Sequence, residues 1–190
     1  TGADLFVVMV WDGWTVIDVR TFAKSEGDTV VQKIQSIASE YAIPGQRCTF
    51  DAGGVGIALR GFLKSAVPFV GAVSALEDDT DKTKLQKQIM PRPAYRNLRA
   101  QAFHRAAQKV NDCEAGFSVK SLHLQGQLAQ ELRAIRRADT PDGGKYQIVG
   151  KDQIKDRIGR SPDLADCFSM RAVFDLQQSK QRRTRQTRAG

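Results

Sequence analysis

Two aspartates lie three residues apart in the stretch GRSPDLADCFSM, residues 159–170, of a chain with a formal net charge of +8. If this stretch is helical, Asp163 and Asp166 share one face, because residues three apart are neighbours on a helix surface. Asp163 has an ordinary alternative role, since an acid in the first turn is stabilised by the helix dipole. Asp166 has apolar neighbours, and a carboxylate among them is disfavoured unless it is paired or binds a cation.

A third acid, Asp51, follows a short β-rich run and precedes Ala-Gly-Gly. In open α/β sheets, sites form at the carboxyl ends of strands, and glycines let a ligand or a phosphodiester backbone approach closely. The alternative is an ordinary turn aspartate, because Asp before Gly is common in loops. If Asp51 and Asp166 converge, they could bind Mg²⁺ or Mn²⁺, and two such ions about 3.5–4 Å apart support phosphodiester hydrolysis.

The bulk composition is that of a globular chain with a core of its own. It has 190 residues, of which 41% are hydrophobic and 26% are charged, as in an ordinary single domain. The longest apolar runs are far too short to cross a bilayer, so we expect no membrane association. The three cysteines are widely spaced and form no C-x-x-C pair, which argues against a disulfide framework or a zinc site and favours a reducing compartment.

The positive charge is concentrated at the end of the chain. Residues 177–190 carry five lysines and arginines and no acidic residue, without any apolar periodicity. We therefore expect a basic, disordered tail. It is either a solvated domain end or an arm that binds the phosphates of a nucleic acid.

The elements that must position the acids are those of an α/β fold. A β-rich run over 5–11 and another over 14–22 flank Asp12-Gly13, which predicts a hairpin with a two-residue type I′ loop and packed tryptophans at its end. Farther along, the order strand, helix and strand over 47–73 predicts a parallel βαβ unit. The remaining patterns predict helices over 28–42, 94–112, 121–137 and 151–159, and a last helix that starts at Pro162, is capped by Ser161 and runs to about Leu176.

Several stretches together resemble the nuclease domain of phage large terminase subunits, the motor-nucleases that package tailed-phage DNA. FDAGGVGIALRGFL, YRNLRAQAFHRA, LAQELRAI and GKYQIVGKDQIKDRIGRSPDLADCFSM occur in the family's order. The resemblance covers roughly residues 1–176. It implies an RNase H-like mixed sheet flanked by helices, here with a leading β-hairpin, and metal-dependent cutting of double-stranded DNA.

The resemblance also assigns roles to the acids. Asp51 matches the family's strand-end acid and Asp166 its helix acid, with Asp163 beside it as a second ligand or water organiser. The implied cofactors are two Mg²⁺ or Mn²⁺ ions. The family pattern also has a first strand that ends in a metal-binding aspartate before a G-x-D turn, which is Gly2-Ala3-Asp4 here, so we expect that strand to precede Thr1. Asp4 is a further candidate ligand.

A basic cluster precedes the helical acids. Lys151, Lys155, Arg157 and Arg160 either bind the DNA backbone, offset repulsion among the carboxylates, or form a solvated helix face. His104 and His123 lack partners at ligand spacing and are expected to be structural, and Glu131 is expected to be a helix-surface or packing residue.

The resemblance implies a metal-dependent endonuclease that cuts double-stranded DNA in the host cytoplasm during viral genome packaging. The portal and the small terminase subunit are the partners that the family implies. No phosphate-binding loop of the G-x-x-x-x-G-K-[ST] type occurs, so no ATPase activity is expected. The alternatives are another RNase H-like nuclease, such as a resolvase or transposase core, and a DNA-binding module without catalysis.

Overall fold

The computed structural model describes residues 5–23, 27–76, 95–139 and 144–177. Helices and strands are mixed along the described part of the chain, as in an α/β fold. The strands there are β1 (Leu5–Asp12), β2 (Thr15–Ala23), β3 (Thr49–Asp51), β4 (Val67–Phe69) and β5 (Gly116–Phe117). The α-helices described are α1 (Gly27–Glu40), α2 (Leu98–Asn111), α3 (Leu122–Ala134), α4 (Lys151–Ile158) and α5 (Asp163–Met170). Two 3₁₀ helices cover Gly45–Arg47 and Gly54–Gly61, and 172–177 are helical again.

The leading hairpin forms as predicted, but its turn lies one residue later. Asp12 pairs with Thr15, so the loop is Gly13-Trp14, and the register shifts between Val10 and Trp11. Gly13 has φ +58° whereas Trp14 has a negative φ. A glycine with positive φ at only the first central position is the pattern of a type II′ turn, so the type I′ prediction is wrong. Trp11 and Trp14 still pack edge to face, with ring centroids 5.9 Å apart.

Among the described residues the strands form two sheets. One has the order β1-β2-β5, with β1 and β2 antiparallel and β2 and β5 parallel, and the other is the parallel pair β3-β4. The parallel unit over 47–73 is therefore confirmed, although its connection is the 3₁₀ helix Gly54–Gly61 instead of an α-helix. The mixed sheet flanked by helices, predicted from the sequence, is present.

The core lies between the hairpin and three helices. Val16 of β2, Ala102 of α2 and Leu164 of α5 are almost completely buried in one cluster. Phe168 of α5 packs on Trp11, with ring centroids 5.0 Å apart, so α5 is held against the hairpin. This packing determines where the acids of α5 lie.

The turn between α4 and α5 differs from the prediction in one respect. Gly159 ends α4 in the left-handed conformation, with φ +74°, as a C-terminal glycine typically does. Helix α5 begins at Asp163, and Pro162 precedes it at the N-cap without a side-chain cap. The N-cap position is therefore Pro162, one residue later than the predicted Ser161.

Some predictions fall outside the described residues. They concern Asp4 and residues 178–190 of the basic tail. Within the ranges that the structure does describe, no helix is both long and apolar enough to traverse a bilayer.

Candidate metal and nucleic-acid site

The three predicted acids border one cavity. Asp51 at the end of β3 and Asp163 and Asp166 at the start of α5 all line a cavity of about 1330 Å³. Elements that are distant in the sequence meet here, because α5 packs against both β1 and β3. The three acids therefore share a cavity, and their convergence on one metal ion stays a prediction.

Asp51 is held by the glycine-rich segment that follows it. Strand alternation buries Phe50 and leaves Asp51 exposed. Its Oδ1 accepts a hydrogen bond from the Gly53 N–H at 2.9 Å, an Asx-type turn. A Cβ at Gly56 would lie 1.8 Å from the Asp51 backbone oxygen, so only glycine permits this close return of the chain.

Asp166 faces two cations. Nε and Nη2 of Arg99 both lie 3.3 Å from its Oδ1, and Nζ of Lys151 lies 2.8 Å from its Oδ2. Among the residues that the structure describes, the buried Oδ2 has this cation beside it but no hydrogen-bond donor. The cost of placing this carboxylate among apolar residues is met by ion pairing in the protein itself.

Asp163 has a structural contact as well as its place in the cavity. Its Oδ2 accepts a hydrogen bond from the Leu5 N–H at 2.8 Å, which ties the first residue of β1 to the start of α5. It lies in the first turn of α5, together with Asp166. The negative side chains there are stabilised by the helix dipole, as expected for Asp163.

The donor set fits a hard divalent cation of the Mg²⁺ type, but it is small. In the part of the chain that the structure describes, no three His, Cys, Asp or Glu side chains are grouped so that they could hold a metal ion. Mg²⁺ usually binds one or two protein carboxylates and completes its shell with water and substrate phosphates. Asp51 and Asp166 are the residues that would hold it, since both border the cavity and Asp166 has a buried oxygen without a donor.

The basic cluster before α5 is divided among several roles. Lys151 lies beside Asp166, which matches the expectation that a cation offsets the negative charge of the acids. Arg157 donates to the Ala134 carbonyl at the end of α3, at 3.4 Å, and Nε of Arg160 lies 3.3 Å from Glu131 Oε1. Lys155 is half-buried and also has an interaction partner. Binding of DNA by these four residues stays a prediction.

Arg99 was not singled out from the sequence, and Glu131 was expected only as a helix-surface or packing residue. Arg99 sits in the first turn of α2, just after the N-cap Asn97, and both residues border the cavity. Glu131 is only 2% exposed, and its Oε2 accepts a hydrogen bond from the Ala165 N–H at 2.9 Å. Burial raises the pKa of Glu131, while the bond from Ala165 and the charge of Arg160 act against that rise. The charged neighbours of both residues come from distant elements, so no local pattern reveals them.

The histidines lie as expected for structural residues. Nδ1 of His104 is 2.8 Å from the Tyr95 hydroxyl, and its ring packs edge-on against Tyr146. Burial lowers the pKa of His104, with a smaller effect from the charge of Arg105. His123 is exposed. Neither histidine lines the cavity.

Comparison with known proteins gives a result at the level of structure. Neither a protein-family profile nor a curated protein matches this chain by sequence. One similar solved structure is a mutant nuclease domain of the large terminase subunit gp2 of bacterial virus Sf6 with manganese and beta-thujaplicinol. It has a TM-score of 0.73 and 21% identity over 90% of this chain and 83% of that chain.

Two further structures of the same Sf6 domain agree. A mutant with calcium and the nuclease domain itself each have a TM-score of 0.72 and 21% identity, again over 90% of this chain and 83% of theirs. At this identity the likeness establishes the fold. The chain therefore has the mixed α/β fold of the nuclease domain of a phage large terminase subunit, as its sequence motifs predict.

Proposed function

We propose that this chain is the nuclease domain of a viral large terminase subunit, which cuts double-stranded DNA with divalent metal ions during genome packaging. The observation that carries the proposal is the meeting of Asp51, Asp163 and Asp166 at one cavity, in a fold shared with a terminase nuclease domain. Structures of that relative hold manganese or calcium, which supports Mg²⁺ or Mn²⁺ as the cofactor here.

Each residue at the cavity has a part in this proposal. Asp51 and Asp166 would hold the cation, and Asp163 would act as a second ligand or orient water beside them. When bound, a divalent cation supplies the Lewis acidity that phosphodiester hydrolysis needs at neutral pH. Arg99 and Lys151 already neutralise Asp166, and a cation bound to that carboxylate would leave both side chains able to contact a phosphate.

The same proposal covers partners and compartment. Double-stranded DNA is the substrate, and we expect weak sequence preference, because no base-reading motif accompanies the cations and phosphate contacts carry no sequence information. The portal and small terminase subunit are the partners proposed for the whole packaging machine. We place the protein in the host cytoplasm, and its cysteines Cys48, Cys113 and Cys167 are all free thiols, in keeping with a reducing compartment.

The test is plasmid cutting with matched variants. Supercoiled plasmid is incubated with the wild-type chain and Mn²⁺, and nicked and linear products are followed on a gel. Asp51→Asn and Asp166→Asn should each lower the rate at least a hundredfold, roughly what removal of a key electrostatic group costs. Asp156→Asn is the control, because this exposed acid of α4 lies outside the cavity.

The other hypotheses give different results in the same assay. A DNA-binding module without catalysis shifts DNA in a gel but leaves the plasmid intact with every metal. A resolvase-type enzyme cuts a four-way junction in preference to the linear duplex. Cutting that survives in both Asp51→Asn and Asp166→Asn would refute the proposed site.

A further inference from the structure

Glu131 is an acid that the proposed chemistry does not use. It lies on α3, is almost completely buried and does not border the cavity that Asp51 and Asp166 line. A carboxylate in such a position is unfavourable, and an apolar residue of similar size often serves packing at least as well. Its presence therefore calls for a role other than packing.

The Glu131 carboxylate contacts residues on both sides of the turn between α4 and α5. Oε2 accepts the Ala165 N–H at 2.9 Å, one of the amides that a helix start leaves without an acceptor in the helix. Oε1 lies 3.3 Å from Nε of Arg160, which follows the left-handed Gly159 at the end of α4. One carboxylate from a third helix thus holds both ends of the connection.

We propose that Glu131 is the positioning residue of the acidic site: by binding Ala165 and Arg160 it caps α5 and fixes the angle between α4 and α5. The proposal rests on the proposed function, since the acids that it positions are the metal ligands of that function. Pro162, the N-cap residue of α5, makes no side-chain capping hydrogen bond. Glu131 takes over this capping from a distance of 34 residues in the chain.

The connection controls the site because each helix carries one member of a charged pair. Lys151 begins α4 and Asp166 lies in the first turn of α5, with 2.8 Å between Nζ and Oδ2. A change in the angle between the helices alters this distance and the direction of Asp166 toward the cavity. A displacement of about 1 Å at a reacting group can lower the reaction rate about a hundredfold.

Arg160 is the second partner of the Glu131 carboxylate. Its Nη2 is buried without a hydrogen-bond partner among the described residues, and its side chain is only 23% exposed. Its Nε lies 3.3 Å from Glu131 Oε1, so the guanidinium is turned toward that carboxylate. Burial raises the pKa of Glu131, and the charge of Arg160 opposes that rise.

The experiment compares Glu131→Gln and Glu131→Asp with the wild type. Gln places an NH₂ group against either Arg160 or the Ala165 amide, and Asp keeps the charge but is one methylene too short to reach both partners. Glu114→Gln is the control, because Glu114 is an exposed acid in a surface ion pair with Lys109. Far-UV circular dichroism confirms folding, electron paramagnetic resonance measures Mn²⁺ binding, and plasmid cutting measures activity.

A fourth readout reports the position of α5 directly. Phe168 of α5 contacts Trp11 and Trp14, with centroids 5.0 and 6.3 Å apart, so tryptophan emission changes if α5 moves. In folded Glu131→Gln and Glu131→Asp we expect an altered emission spectrum, at least tenfold weaker Mn²⁺ binding and at least tenfold slower cutting. Glu114→Gln should stay within twofold of the wild type in each measurement.

A purely structural role predicts another pattern. The Glu131 variants would melt at a lower temperature but, well below melting, would bind Mn²⁺ and cut DNA like the wild type, and that result overturns the proposal. If the wild type neither binds Mn²⁺ nor cuts DNA, the proposed function fails. Hydrogen exchange at the Ala165 amide then tests whether Glu131 fixes the start of α5. Exchange at least tenfold faster in Glu131→Gln supports the positioning role, and unchanged exchange refutes it. If Glu131→Gln does not fold, Glu131→Asp, which keeps the charge, carries the same test.

Discussion

Replacement of Arg99 by methionine tests whether the ion pair at Asp166 contributes to stability. The guanidinium places Nε and Nη2 each 3.3 Å from Asp166 Oδ1, and its carbon lies 5.0 Å from the centre of the Phe103 ring. Methionine keeps most of the apolar stem and removes the charge. Asp166 would then keep only Lys151, whose side chain is 56% exposed and therefore a weaker partner.

The expected magnitude follows from these contacts. At an effective dielectric constant of about 20, unit charges 3.3 Å apart attract by about 5 kcal/mol before desolvation is counted. Net values are smaller. A hydrogen bond to a charged group contributes about 1.5 kcal/mol when its donor–acceptor distance is long, and the contact between the guanidinium and the Phe103 ring contributes about 0.5 kcal/mol. We therefore expect Arg99→Met to lower the free energy of unfolding by about 2 kcal/mol, or the melting temperature by about 4–8 °C.

The assay is a double-mutant cycle followed by urea and thermal unfolding. It needs Arg99→Met, Asp166→Asn and the double variant, with Arg133→Met as the control because Arg133 is an exposed arginine of α3. The coupling energy between Arg99 and Asp166 should be about 1–2 kcal/mol. The reasoning is refuted if Arg99→Met has the same melting temperature as the wild type. It is also refuted if the losses in free energy of unfolding of the two single variants add up to the loss of the double variant.

Three further predictions concern the supports of the site. Gly56→Ala, whose methyl group would lie 1.8 Å from the Asp51 carbonyl oxygen, should slow plasmid cutting at least tenfold. Gly126→Ala, with no atom within 4 Å of its methyl, should leave cutting unchanged and add about 0.5–1 kcal/mol of stability. Ile154 is the buried residue of α4. In urea unfolding, Ile154→Ala should lower the free energy of unfolding by about 2–5 kcal/mol and Ile154→Val by only about 0.5–1.5 kcal/mol. Equal losses in the two variants would contradict the place of Ile154 in the core. Burial lowers the pKa of His104 below its ordinary 6.5, so its native state favours the neutral ring. Its contribution to stability is complete above pH 6.5 and is lost as the pH falls through the lower native pKa, so the melting temperature of His104→Gln should depend less on pH between 7 and 5.

Local chemistry in the sequence was enough to predict several elements. Asp12-Gly13 between two β-rich runs predicted the hairpin, and Gly159 predicted the end of α4, because turns and helix ends depend on a few neighbouring residues. The placement of Asp51 at a strand end was predicted in the same way and is confirmed. These features need no knowledge of distant contacts.

Predictions failed where a distant element or the exact backbone path decides the outcome. The turn of the hairpin moved by one residue, because the register shift at Val10/Trp11 is a property of the strand pair as a whole. The N-cap of α5 was expected at Ser161 but lies at Pro162, and the Ala165 amide of the first turn is bound by Glu131 from another helix. The segment after Asp51 formed a 3₁₀ helix instead of an α-helix, in a glycine-rich stretch that returns closely to the strand.

The sequence by itself determined the kinds of residues at the site and the elements that carry them: a strand-end acid, two helical acids and an excess of cations. Only the tertiary structure decided which charges meet, because Asp166 pairs with Arg99 from α2 and Lys151 from α4, and Glu131 is buried against Arg160 and Ala165. The physical reason is that charge interactions and burial depend on distance in space, which separations of 34 or 67 residues along the chain do not reveal.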